Sequence, residues 1–293
     1  MTAISPTARQ TRHLVIVLGL TTSFVFVESA GAYFTGSLAL VANAGHMLTD
    51  VAGLSLAIFA IWLGQRPATP EKTYGYYRGE ILAALANSVV LLLVSGFIFY
   101  EAYSRFKAPP EVRTVPMILV AGVGLIVNLA GIWLLHREAE ESLNVHGAFL
   151  EVVSDALGSL GVIVAGLIMF VTGFFLVDTI FSVLIGLFIL PRTWGLLNRA
   201  LHVLLEGTPS HISLAEMRQE MLALKGVRDV HDLHVWSITS GFEAMSGHVR
   251  LDGQVDGHQL LENLRQLLRE RFSIEHVTIQ LEEEEMAEPH IHE

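Results

Sequence analysis

Over the first two-thirds of the chain, apolar residues continue without the regular polar breaks of a soluble helix or a half-buried strand. A hydrocarbon layer takes about 20 residues per crossing helix. Six stretches answer to that: Leu14–Phe34, Leu38–Leu63, Ile81–Tyr100, Val115–Leu135, Ala148–Val171 and Val177–Leu190. The sixth is short by itself. Its helix is expected to continue through Trp194–Leu197, bent at Pro191. The connections Thr35–Ser37 and Thr172–Leu176 allow only tight hairpins between spans one and two and between spans five and six. Met1–Thr11 is polar and is expected to be unstructured. The apolar run after it is too long for a signal peptide and lacks a small-residue cleavage site.

From Glu206 the pattern changes. Ser213-Leu-Ala-Glu216 is a capping box that opens an amphipathic helix, with Gly226 placed to end it. Asp232–Ile238 reads as a strand, and strict alternation along it sets His231 and His234 on opposite faces. Ala244–Asp252 alternates Met245, Gly247, Val249 and Leu251 with Ser246, His248, Arg250 and Asp252. A second helix lines up Leu260, Leu261, Leu264, Leu267, Leu268 and Phe272, and a last strand alternates Val277, Ile279 and Leu281. The order α-β-β-α-β suits a ferredoxin-like α+β fold. The expected organisation is an N-terminal segment over 1–12, a six-helix membrane bundle over 13–206, an α+β domain over 207–282 and an acidic disordered tail over 283–293.

Composition agrees with a membrane protein. Charged residues make up 16% of the chain, against about 25% in soluble domains. There is no cysteine, so a metal site must use nitrogen and oxygen donors. Residues 1–206 carry 11 Lys+Arg and 13 Asp+Glu, whereas 207–293 carry 7 and 16, with 8 of the 13 histidines. So acidic a C-terminal part argues against nucleic acid and suits contact with cations. With both termini inside, the inner segments hold Arg9, Arg12, Arg66, Lys72, Arg78, Arg137, Arg192 and Arg199, and the outer loops hold Arg105, Lys107 and Arg113. That bias favours cytoplasmic termini.

Against this apolar background, four ionisable residues stand out. His46 and Asp50 lie in span two, Glu151 and Asp155 in span five. A charge at the bilayer centre costs about 2.5–3.5 kcal/mol or more, so each needs an offsetting interaction. Each pair is spaced i, i+4, on one face of its helix. Two such faces turned together converge one imidazole and three carboxylates, the donor set of a divalent cation site. Thr49-Asp50-Val-Ala-Gly53 echoes Ser154-Asp155-Ala-Leu-Gly158, with small residues that let helices approach. Asn43, one turn before His46, is positioned to support it by hydrogen bonding. Glu28 and Asp178 have no i+4 partner, and either a structural or a proton-handling role suits them.

These residues resemble the cation diffusion facilitators, CzcD-like exporters of zinc, cobalt and cadmium among them. The resemblance rests on His46-Met-Leu-Thr-Asp50, Tyr74-Gly-Tyr-Tyr-Arg78 with Glu80, Leu143-Asn-Val-His-Gly-Ala-Phe-Leu-Glu151-Val-Val-Ser-Asp155, Leu190-Pro-Arg-Thr-Trp194, Leu204-Leu-Glu-Gly207 and His231-Asp-Leu-His-Val-Trp236. It implies a six-helix domain, a cytoplasmic metallochaperone-like domain, a homodimer formed through that domain, and an inner-membrane protein that exchanges cytosolic Zn²⁺, Co²⁺ or Cd²⁺ for protons. The family's transport site carries over onto His46, Asp50 and Asp155. Many members have His where this chain has Glu151, which makes the set harder and leaves Mn²⁺ or Fe²⁺ as an alternative cargo. By position, His231, His248 and His258, with Glu282 nearby, resemble ligands of a regulatory cytoplasmic zinc. Surface histidines are the other reading of them, as solvated tail residues are of His290 and His292.

The implied protein is a transporter with no resident cofactor, the metal being cargo and regulator. The rival classes are weaker. An intramembrane aspartyl protease would use Asp50 and Asp155 but has no need of His46 and Glu151, and no His-Glu-x-x-His run exists for a metalloprotease.

Overall fold

The structure is a computed structural model. It describes residues 6–64, 66–136, 139, 143–253 and 255–283. The acidic tail from residue 284, with His290 and His292, lies outside the described residues, as do the first five.

Six long helices come first: α1 (Pro6–Thr35), α2 (Leu38–Gly64), α3 (Gly79–Lys107), α4 (Thr114–Leu135), α5 (Leu143–Thr172) and α6 (Leu176–Leu204). In hydrocarbon every backbone N–H and C=O needs a partner within its own segment, which makes an apolar run a helix. Within the described residues, α1, α3, α4, α5 and α6 are long and apolar enough to cross a membrane. At 27 residues, α2 extends about 40 Å. The polar opening is not unstructured beyond residue 5, because α1 begins at Pro6. Proline suits a first helical turn, where its missing N–H costs no intrahelical bond. α6 runs without interruption through Pro191 to Leu204, beyond the expected end. The two tight hairpins turn on Gly36 and Gly173, whose φ of +72° and +64° lie in the left-handed region that favours glycine.

The chain forms two compact units. The first takes in the helices up to Ile58 and Ala83–Leu197. Its core joins Ala32 of α1, Ala39 and Leu40 of α2, Met117 and Ala121 of α4, Val162, Ala165 and Met169 of α5 and Val177 of α6. Close approach depends on missing side chains: a Cβ at Gly124 would meet the Phe24 ring at 2.5 Å, and one at Gly158 would collide with the Asn43 amide oxygen.

The second unit comprises Phe59–Leu82 and the chain from Asn198. It contains α7 (Leu214–Leu222), β1 (Val227–Thr239), β2 (Phe242–Leu251), α8 (Gly257–Phe272) and β3 (His276–Glu282). Ser213 caps α7, accepting a hydrogen bond from the Glu216 N–H. The helix stops at Leu222, and Gly226, at φ +100°, turns the chain into β1 instead of ending the helix itself. The sheet runs β1-β2-β3, antiparallel then parallel. Among the described residues no strand precedes α7 as it would in a full β-α-β-β-α-β ferredoxin-like motif, and β2 pairs directly with β3 across the α8 connection. One face carries the core: Met217 and Met221 of α7, Val230, Val235, Met245 and Val249 of the sheet, and Leu260, Leu264, Leu268 and Phe272 of α8. The α2–α3 connection also belongs to this unit. Arg78 pairs with Glu206 at 2.8 Å, Tyr77 meets Phe242 edge-on, and Glu80 accepts a 2.5 Å hydrogen bond from the Thr239 hydroxyl.

Candidate metal centre

α2 and α5 bring their polar faces together where Gly158 admits Asn43. From that contact, three residues forward on α2 reach His46, and three residues back on α5 reach Asp155. Opposed steps of equal size are what antiparallel helices produce, and they set the two i, i+4 pairs against each other. One ligand atom from each of His46, Asp50 and Asp155 lies within 4.8 Å of the other two. His46 Nε2 is 3.5 Å from Asp50 Oδ2. His46 and Asp155 are buried, at 8% and 3% exposure. Three buried atoms of this cluster, His46 Nδ1, Asp50 Oδ2 and Asp155 Oδ1, have no hydrogen-bond partner. An orphaned buried polar atom costs about 1–3 kcal/mol, and a cation among these donors would offset that cost.

Glu151 stands differently. It is not among the converging donors, and its Oε1 accepts a 2.9 Å hydrogen bond from Arg192 Nη2. Three of the four sequence-derived ligands therefore converge, and the fourth is engaged by a cation on α6. In the sequence Arg192 is an inner-side positive charge and part of Leu190-Pro-Arg-Thr-Trp194, and neither pattern assigns it to the metal site. Its signal was position: an arginine within the extended sixth span, beyond what loop charge bias needs.

The supporting residues also differ from expectation. Asn43 does not turn to His46; its Nδ2 donates to Glu28 Oε1 at 2.7 Å. Glu28, on α1, is fully buried and its other oxygen has no partner. Asp178 has a structural task. Its carboxylate accepts from the Ser37 hydroxyl at 2.5 Å and from the backbone N–H of Leu38 and Ala39 at 2.6 and 3.3 Å. The Ser37 hydroxyl in turn accepts from Leu40 N–H at 3.1 Å. Together they satisfy the first three N–H groups of α2, the helix that carries His46 and Asp50.

A second cluster lies on the face of the sheet opposite the core. His231, His248 and Glu282 each offer a ligand atom within 4.8 Å of the others. His248 Nδ1 is 3.1 Å and His231 Nε2 3.4 Å from the Glu282 carboxylate. Register explains it: His231 faces His248 on β2, and β2 lies beside β3, which ends at Glu282. His258 does not join them. It is exposed in the first turn of α8, its N–H bonded to the capping Asp256. His234 corrects the alternation: it shares the face of His231. Asp232 takes φ +48° and adds one residue to β1, so His231 pairs with His248 and His234 with Ser246, two positions along β2.

Residues 14–205 match the cation efflux transmembrane domain, and residues 209–284 the cation efflux protein cytoplasmic domain. The metal cation efflux system protein CzcD of Cupriavidus metallidurans is 48% identical over 272 residues, 92% of this chain and 86% of that protein. The cadmium, cobalt and zinc/H(+)-K(+) antiporter of Bacillus subtilis is 38% identical, over 92% and 88% of the two chains. The zinc transporter ZitB of Shigella flexneri is 39% identical, over 98% and 92%. With an imidazole and two carboxylates converging inside the bundle, and with both parts of the chain matched, this protein belongs to the cation efflux family, the cation diffusion facilitators.

Proposed function

We propose that this protein exports divalent cations, Zn²⁺ foremost with Co²⁺ and Cd²⁺, from the cytosol in exchange for protons. The observation that carries this reading is the convergence of His46, Asp50 and Asp155 between α2 and α5, with donor atoms that lack partners. The names of the relatives support the choice of metals. We assign the protein to the inner membrane with both termini cytoplasmic, the orientation that the Lys/Arg bias supports.

Metal loading requires the imidazole and carboxylates to be deprotonated, so each loading event releases protons on that side. Alternating access then opens the site outward, where returning protons displace the metal. His46 and Asp50 hold one wall of the site and Asp155 the other. Any rocking of α2 against α5 therefore changes the distance between donors and with it the affinity. Glu151 completes the set as a third carboxylate.

The cluster of His231, His248 and Glu282 is proposed as a regulatory metal site in the cytoplasmic domain, through which two copies associate as a homodimer. Two imidazoles and a carboxylate suit Zn²⁺ with one position left for another ligand.

The test is uptake into proteoliposomes under an imposed pH gradient. Wild-type protein is expected to accumulate Zn²⁺ against its gradient, and His46→Ala, Asp50→Ala and Asp155→Ala are each expected to abolish this. Wild-type rates in the Asp155→Ala protein would overturn the site, and transport indifferent to the pH gradient would overturn the exchange.

A further inference from the structure

We infer that Arg192 is an internal competitor for the cargo: it holds one oxygen of the Glu151 carboxylate, and metal that takes up Glu151 as a ligand competes with that guanidinium. This rests on the transport site proposed above. In the structure three donors are assembled and the fourth is not among them. Glu151 lies one turn before Asp155 on the same face of α5, but its Oε1 is held by Arg192 Nη2 at 2.9 Å. A guanidinium cannot deprotonate, so it does not leave by losing its charge. It must be outcompeted, and a divalent cation shared with two further carboxylates and an imidazole is the species equipped to do so.

The position of Arg192 provides a means of exchange. It directly follows Pro191 within α6. Proline supplies no N–H, so one backbone bond is missing there, and such points are where helices bend. A bend at Pro191 moves Arg192 relative to α5 without moving the Asp178 cap at the other end of α6. The Arg192 side chain is 60% exposed and Glu151 31%, so the pair is not locked by packing and can part. Held on Arg192, Glu151 is a ligand in reserve. Its release would tighten the site, and its recapture would favour release of metal. Arg192 thus sets affinity as a positioning residue for Glu151.

Equilibrium binding of Cd²⁺ to the purified full-length protein tests this, with Asp50→Ala protein supplying the binding that belongs to other sites. Arg192→Gln is expected to tighten the membrane site about fivefold, the scale of a partly exposed ion pair. Arg192→Lys, which keeps a cation, is expected to stay near wild type. In a Glu151→Gln background, Arg192→Gln is expected to change affinity by less than about twofold, because the competition has lost its object. Unchanged or weaker binding by Arg192→Gln overturns the inference. So does equal tightening in both backgrounds, which would make Arg192 only a distant repelling charge. If Asp50→Ala loses no bound Cd²⁺, the transport site itself is wrong and the competition falls with it. If Asp50→Ala loses metal while Arg192→Gln has no effect, only the competition fails.

Discussion

At the scale of single residues, the metal centre depends on two kinds of position: those that supply donors and those that supply room. In the proposed transport site, Glu151 is the carboxylate on which metal selectivity is expected to turn. Replacing it by His exchanges a hard oxygen for a borderline nitrogen and removes the partner of Arg192. Glu151→His is expected to raise selectivity for Zn²⁺ over Mn²⁺ about tenfold or more, measured by metal-by-metal uptake. Gly158 supplies room. A Cβ there would strike Asn43, which donates to Glu28. Gly158→Ala is therefore expected to push α2 from α5 and to cost about 1–3 kcal/mol of stability, read as a lower thermal midpoint, together with weaker Cd²⁺ binding. Intramembrane cost and i, i+4 spacing made His46, Asp50 and Asp155 legible in the sequence. The same reasoning could not say that Asn43 would serve Glu28, since a periodic pattern identifies a face but not which neighbour occupies it.

Elements are held at their ends as much as along their faces. The N-terminus of α2 is capped from a different helix, by Asp178 of α6, at Ser37, Leu38 and Ala39. In an apolar surrounding these N–H groups have no water to turn to. Removing the carboxylate in Asp178→Ala is expected to cost about 3 kcal/mol, more than an ordinary surface cap, and to lower the thermal midpoint in detergent. Asp178→Asn, which still accepts hydrogen bonds, is expected to lose less. Arg105 reinforces this end, donating to the Gly36 carbonyl at 2.7 Å and approaching Asp178 at 3.6 Å. In the second unit β1 shows how one residue changes an element. Alternation sets His234 opposite His231, and the extra residue at Asp232 brings them to one side. Sequence periodicity assumes an unbroken pleat, and a bulge is invisible to it because its cause is pairing with a strand ten or more residues away.

For the molecule as a whole, the two candidate metal clusters are separable by experiment because their donors lie in different units. A ligand that binds only the folded state stabilises it, by about 2.7 kcal/mol at a hundredfold excess over Kd. Zn²⁺ is therefore expected to raise the thermal midpoint of the full-length protein in two steps. His248→Ala should remove the contribution of the second unit and leave transport of Zn²⁺ in proteoliposomes active. If His248→Ala abolishes transport outright, the cytoplasmic cluster is part of the transport path and not a regulator.

Spans, hairpins, the α-β-β-α-β order and the acidic residues out of place in an apolar run were all determined by the sequence, because each follows from local rules: the length of a bilayer crossing, helical and strand periods, and the cost of a buried charge. The tertiary structure alone decided the partners. It set α2 antiparallel to α5 so that His46 and Asp50 meet Asp155, engaged Glu151 with Arg192, gave Asp178 to the α2 terminus, and gathered His231, His248 and Glu282 without His258. Each of these joins residues far apart in the chain. Their proximity is a product of packing, which no local pattern encodes.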